Sequence, residues 1–191
     1  MKVIRLGKND KFPTEPCDLV VCKAYPYTLS KEQLAHPTHG CINIHTSLLP
    51  KYRGRHPIVW AMINMEEEIG VTIHYMDEGI DTGDIILQER MSLNVNRTYA
   101  SVKKDLDVMG EDMLRVVLQC MRNGEFNHTL QDESQASYYS RREPEDSEIP
   151  VLIDQKRLVA YINALSDPMP NAYMEHLDGS KVYYKGAVYE E

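Results

Sequence analysis

The chain has 191 residues and a mass of 22.0 kDa, and its 42% hydrophobic and 26% charged residues exclude wholesale disorder and suit one domain with a modest appendix. Lys and Arg number 21 against 29 Asp and Glu, a net charge of −8 that argues against a general nucleic-acid binder while leaving phosphate-bearing small molecules open. No apolar run approaches the roughly eighteen residues of a membrane span, Met1–Leu6 is too interrupted for a signal-peptide core, and four scattered cysteines form no C-x-x-C pair, so reduced thiols in a cytoplasmic protein are expected.

In chain order, Asp18–Cys22 is a short apolar run suited to a buried strand, and a helix is predicted around Lys31–Leu34. Gly40–His45 reads as a second strand, interrupted by Leu48-Leu49-Pro50 and Gly54. Pro57 opens a helix that continues through Ile58–Met65. Gly70–Met76 and Ile85–Glu89 read as strands on either side of a Gly/Asp-rich turn. From Thr98 to Asn123 the period changes: Val102, Leu106, Met109, Met113, Val117 and Cys120 recur three or four residues apart, and Gly124 offers a C-cap. That stripe predicts a long amphipathic helix with methionines filling the core. Residues 132–150 read as a polar linker loop, Gln155–Ser166 as a second helix, and Tyr173–Lys185 as a hairpin around Asp178-Gly179. The organisation expected is a catalytic core over 1–131, the linker over 132–150, and a small helix-hairpin region over 151–191. The fold class is α/β.

Asn43 and His45 stand two apart, so on a strand both side chains leave the same face. A carboxamide donor beside an imidazole suits a developing oxyanion or a proton shuttle. Taken alone, the pair equally fits a strand end with structural hydrogen bonds. The surrounding residues are more specific. Asn43-Ile44-His45-Thr46-Ser47-Leu48-Leu49-Pro50-Lys51-Tyr52-Arg53-Gly54, followed by Gly70-Val71-Thr72-Ile73-His74-Tyr75-Met76-Asp77-Glu78-Gly79-Ile80-Asp81-Thr82-Gly83-Asp84-Ile85-Ile86, closely resembles the hallmark blocks of the N10-formyltetrahydrofolate-dependent formyltransferases.

The resemblance implies a Rossmann-like core and formyl transfer from N10-formyltetrahydrofolate to an amine. It places the catalytic Asn, His and Asp on Asn43, His45 and Asp81. In that scheme Asn43 and an imidazolium at His45 hold the developing oxyanion, each such donor being worth about 3–4 kcal/mol, and Asp81 orients His45. The resemblance also sets the folate pocket on the loop Tyr25, Pro26, Tyr27, Thr28 and Leu29 and on the turn Asp77, Glu78 and Gly79. Asp77 and Asp84 read as turn caps and His74 as a structural residue, and no spacing suggests a metal.

Within the family, Arg53–Asn64 and Tyr138–Ser147 look most like the enzymes that act on nucleotide-linked amino sugars. Arg53, Arg55, His56 and Trp60 are therefore expected to meet that substrate, with Arg141 and Arg142 as further phosphate partners, although Trp60 also suits helix core. The terminal helix and hairpin, Gln155–Tyr184, resemble the C-terminal region of those sugar enzymes, and that resemblance implies a homodimer. Only 17 residues precede Asp18, fewer than the family's first half needs, so a shortened core is expected. Alternatives are a formyltetrahydrofolate hydrolase, a formyltransferase for methionyl-tRNA or glycinamide ribonucleotide, and a non-catalytic folate-binding module.

Overall fold

The computed structural model describes residues 1–125 and 127–190. Five strands form the main sheet: β1 (Val3–Leu6), β2 (Leu19–Cys22), β3 (Cys41–His45), β5 (Glu68–Tyr75) and β6 (Ile85–Ser92). Their order is β1-β2-β3-β5-β6. The first three run parallel, and β5 and β6 then alternate antiparallel. The expected strands and helices are all present, and the structure is α/β with a parallel half. Met1–Leu6 supplies β1, the short helix α1 spans Lys31–Ala35, and the structure adds a short strand β4 (Arg53–Gly54) and a strand β7 (Tyr138–Tyr139) inside the stretch read as a loop. β4 and β7 pair in parallel, which ties residues 132–150 to the stretch that follows β3.

The two faces of the sheet are unequal, and this inequality positions the site. Side chains alternate along a strand, so Leu19 and Val21 of β2, Ile42 and Ile44 of β3, and Ile69, Val71 and Ile73 of β5 point into one large core. The helix α3 (Tyr99–Asn123) covers them with Val102, Leu106, Met113, Leu114 and Val117. Thr98 caps its first turn through its side chain, and Gly124, at φ +73°, closes its last. Met109 and Cys120 lie at the margin rather than the centre of that stripe.

The opposite face carries a smaller cluster of Leu6, Cys17, Val20, Cys22, Leu29 and Cys41. Burial pushes the thiols of Cys22 and Cys41 up to about 12, so they behave as small apolar groups. Beyond that cluster the same face turns polar: Asn43, His45, Thr72 and His74 share it, with Asn43 opposite His74 and His45 opposite Thr72 in the β3–β5 register.

The helix α2 (Pro57–Ile63) packs on α4 (Gln155–Ala164), and Tyr161, Ile162, Leu165 and Ala172 join the large core. The strands β8 (Ala172–Glu175) and β9 (Lys181–Tyr184) form the terminal hairpin. Replacing Leu106, which is fully buried, with Ala is expected to cost about 2–5 kcal/mol. Val108→Ala, on the exposed face of the same helix, serves as the control and should move stability by less than about 0.5 kcal/mol in urea titrations.

Candidate active site

Asn43 and His45 project from the end of β3, and Asp81 reaches them from the turn between β5 and β6. The Asp81 side chain is only 14% exposed, and four groups surround its carboxylate. The Gly54 N–H donates to Oδ2 at 2.9 Å, and Asn43 Nδ2 donates to Oδ1 at 3.3 Å. His45 Nδ1 stands 3.6 Å from Oδ2, and His74 Nε2 stands 3.5 Å from Oδ1. Gly54 can present its N–H there because it sits at φ +99°, where a Cβ would lie 2.4 Å from the Tyr139 carbonyl oxygen.

The ring tautomers follow from their partners, because a carbonyl oxygen only accepts. His45 Nε2 lies 2.8 Å from the Tyr52 carbonyl and must carry a proton there. His74 Nδ1 lies 2.6 Å from the Tyr75 carbonyl and does the same. In a neutral His45 the remaining nitrogen, Nδ1, is therefore a bare acceptor turned toward Asp81. Burial pulls His45 below its ordinary value of 6.5, with the nearby His74 adding to the effect, and this outweighs the opposing pull of Asp81 and of the Tyr52 carbonyl. For Asp81, burial alone would raise the carboxyl. At the acid pH where a carboxyl titrates, the positive charge of a protonated His45, with His74 and the Gly54 N–H, outweighs burial and holds it well below the usual carboxylate range. With His45 neutral, a charged carboxylate faces an unprotonated nitrogen, and the imidazolium that the resemblance implies for the intermediate forms when the ring takes up a proton.

The two loops assigned to the folate approach each other beside this cluster. Lys31 pairs with Glu78 at 3.5 Å, and Arg55 donates to the Pro26 carbonyl at 3.1 Å. Tyr25 and Tyr27 stand edge to face at 5.4 Å, and Tyr27 and Ile80 are exposed. Leu29 is buried in the smaller core, so only its backbone is placed to meet a ligand. Asp77 Oδ1 accepts from the Gly79 N–H and the Thr82 hydroxyl, the turn-capping role, and Asp84 Oδ2 pairs with His128 at 2.6 Å.

The expected acceptor-binding residues divide. Arg55 is exposed and stands beside Pro26. His56, at φ +56° before α2, is half-buried, and burial with three neighbouring arginines holds its pKa below 6.5. Arg53 needs a correction. Its side chain is fully buried, and its five N–H groups are taken by Gln131, Glu133 and Tyr138, leaving none for a phosphate. Trp60 is corrected too: its N–H donates to the Ser140 carbonyl, and its ring is engaged by Tyr139 at 5.1 Å and Arg142 at 4.8 Å. Arg142 itself is buried, with Nη2 donating to the Asp146 carbonyl and the Tyr161 hydroxyl. Arg141 is exposed and pairs with Glu143.

Sequence reasoning set aside His74 as structural, yet it flanks Asp81; its position opposite Asn43 follows from pairing two alternating strands. Gln131, which contacts the Asp81 loop, carried no sequence signal at all.

Relatives by sequence and by structure agree on the family. The chain is 39% identical over 166 residues to a methionyl-tRNA formyltransferase of Syntrophomonas wolfei, a match spanning 86% of this chain and 52% of that protein. A methionyl-tRNA formyltransferase of Lysinibacillus sphaericus is 40% identical over 168 residues, or 53% of its length. The chain therefore spans about half the length of these curated relatives. Among solved structures, a 4-N formyltransferase from Francisella tularensis superposes with a TM-score of 0.77 at 28% identity, covering 91% of this chain and 72% of that one. A sugar N-formyltransferase from a Shewanella species gives 0.75 at 26% identity, covering 91% and 71%. The formyl transferase family model matches residues 9–118, more than half of the chain, and the chain belongs to that family.

Proposed function

We propose that the chain transfers a formyl group from N10-formyltetrahydrofolate to an amine, with Asn43, His45 and Asp81 as the catalytic residues. The observation that carries this reading is His45 Nδ1 facing the Asp81 carboxylate at 3.6 Å beside the Asn43 amide donor. When bound, the folate supplies the formyl carbon. Asn43 Nδ2 donates to the formyl oxygen as negative charge develops there. His45 Nδ1 accepts the proton that the amine loses as the new C–N bond forms, Asp81 stabilises the resulting imidazolium, and the ring returns the proton as the old bond breaks. The Tyr25–Leu29 loop and the Asp77–Gly79 turn hold the folate, offering the exposed Tyr27 and Ile80 as apolar surface.

For the acceptor, we infer the amine of a nucleotide-linked amino sugar. This reading is supported by the likeness to a sugar N-formyltransferase over 91% of this chain, and by a net charge of −8, which disfavours a polyanionic partner. Arg55, His56 and Arg141 are the groups left to meet its phosphates. A second reading, methionyl-tRNA, is favoured by the higher sequence identity to enzymes of that name. Met174, Val182 and Tyr183, exposed on the terminal hairpin, support self-association through that ribbon.

Tetrahydrofolate release in the presence of each acceptor class tests the assignment. Release is expected with a nucleotide-linked amino sugar, with a product gaining a formyl mass; release with charged methionyl-tRNA alone would transfer the assignment to the second reading, and release without any amine would mean hydrolysis. Asn43→Ala and His45→Ala are each expected to lower kcat by about 10²–10³-fold.

The pH profile has a definite sign. His45 must be unprotonated to act, so kcat should be flat above pH 6.5 and fall only at lower pH, as the pH passes the depressed value of the ring. The same depression means that the unfolded chain takes up a proton first as pH drops below 6.5, so stability is lost on acidification. His45→Gln should flatten that part of the urea midpoint against pH, and an unchanged slope would contradict the buried, neutral ring.

A further inference from the structure

Arg53 and, some eighty residues further along the chain, Gln131 and Glu133 converge behind the Asp81 carboxylate. Gln131 donates through Nε2 to two backbone carbonyls of the turn, those of Asp81 at 2.8 Å and Gly83 at 2.7 Å. Its Oε1 accepts from Arg53 Nε at 3.2 Å and Nη2 at 2.8 Å. Arg53 is in turn held by both oxygens of Glu133, at 2.9 and 2.6 Å, and by the Tyr138 hydroxyl at 2.6 Å. The turn that receives these bonds is unusual, because Asp81 lies in the left-handed region at φ +54°. A side-chain-bearing residue stays there only when its surroundings fix it. The acid's orientation depends on that backbone, since Oδ2 reaches the Gly54 N–H only from it.

A buried guanidinium with all five donors engaged is a rigid anchor, and its fork geometry fixes the plane of the Gln131 amide. Nothing in the catalytic scheme uses Arg53, Gln131 or Glu133 directly, and no N–H of Arg53 is left to bind a substrate. We propose that Gln131 is a positioning residue: anchored by Arg53 and Glu133, it clamps the Asp81–Gly83 turn and thereby aims the Asp81 carboxylate at His45. The kinetic consequence rests on the proposed formyl transfer, whereas the clamp itself is a property of the folded chain and is readable without turnover.

Gln131→Glu separates the two ends of the clamp. The new carboxylate still accepts from Arg53, so the anchor survives, but the two donors to the Asp81 and Gly83 carbonyls become oxygens facing oxygens. In the full chain, amide hydrogen exchange at Gly54 reports directly whether Asp81 Oδ2 is still held in place. We expect that amide to exchange at least tenfold faster in Q131E, with the exchange of the α3 amides unchanged. Steady-state kinetics on the same variant should show kcat lowered at least tenfold and KM for the formyl donor within about threefold. Arg53→Lys keeps the charge but cannot fork to Gln131 and Glu133 together, and it should loosen the same amide should Q131E fail to fold. Gly54 protection unchanged in the folded variants overturns the clamp. A wild-type chain that transfers no formyl group, with Gly54 still loosened by Q131E, would refute the proposed function and leave the clamp standing. A loosened Gly54 with unchanged kcat would overturn the claim that the clamp aims the acid.

Discussion

The Asp81 Oδ2 atom accepts the Gly54 N–H at 2.9 Å, and that contact requires three separate stretches of chain to be in place. Gly54 must lie at a φ open chiefly to glycine, beside Tyr139 of β7. Asp81 must lie in a left-handed turn held by Gln131. The β3–β5 register must set Asn43 opposite His74, so that both amide and imidazole face the acid. A one-residue slip in that register would send Asn43 and His45 into the large core and bring Ile42 and Ile44 to the site. The apolar face packed against α3 therefore fixes the chemistry on the other side of the sheet.

The electrostatic character follows from the same placement. A buried carboxylate without partners would take up a proton, and a buried imidazole gives one up. Here the Gly54 and Asn43 N–H groups donate to the acid, while the burial of His45 outweighs the attraction of that acid for its charged form. The pair thus rests with a vacancy for one proton between a charged oxygen and a bare nitrogen. Such an arrangement suits an amine that must lose a proton while its bond to carbon forms, and the vacancy is maintained by burial.

Much of this was legible in the sequence because it is written in short-range patterns. The three-and-four spacing from Val102 to Cys120 gave α3, the alternation in Cys41–His45 put Asn43 and His45 on one face, and Asp178-Gly179 marked the hairpin. The trio proposed as catalytic was legible only through two long contiguous motifs. Arg53 was assigned to substrate because a guanidinium fork suits a phosphate, whereas its partners Gln131 and Glu133 lie some eighty residues away, beyond any local pattern. Trp60 was assigned to substrate although its apolar helix also offered it a place against Tyr139 and Arg142. The strand β7 was hidden for a related reason, since two tyrosines in a polar stretch carry no periodicity.

The 15N spectrum of the His45 ring in uniformly labelled protein at pH 7 tests this account most directly. A neutral ring with the proton on Nε2 and a bare Nδ1, gaining its second proton only below pH 6.5, is the result the account predicts. A doubly protonated ring at pH 7 would make His45 and Asp81 a closed ion pair with no place for an incoming proton, and would contradict it.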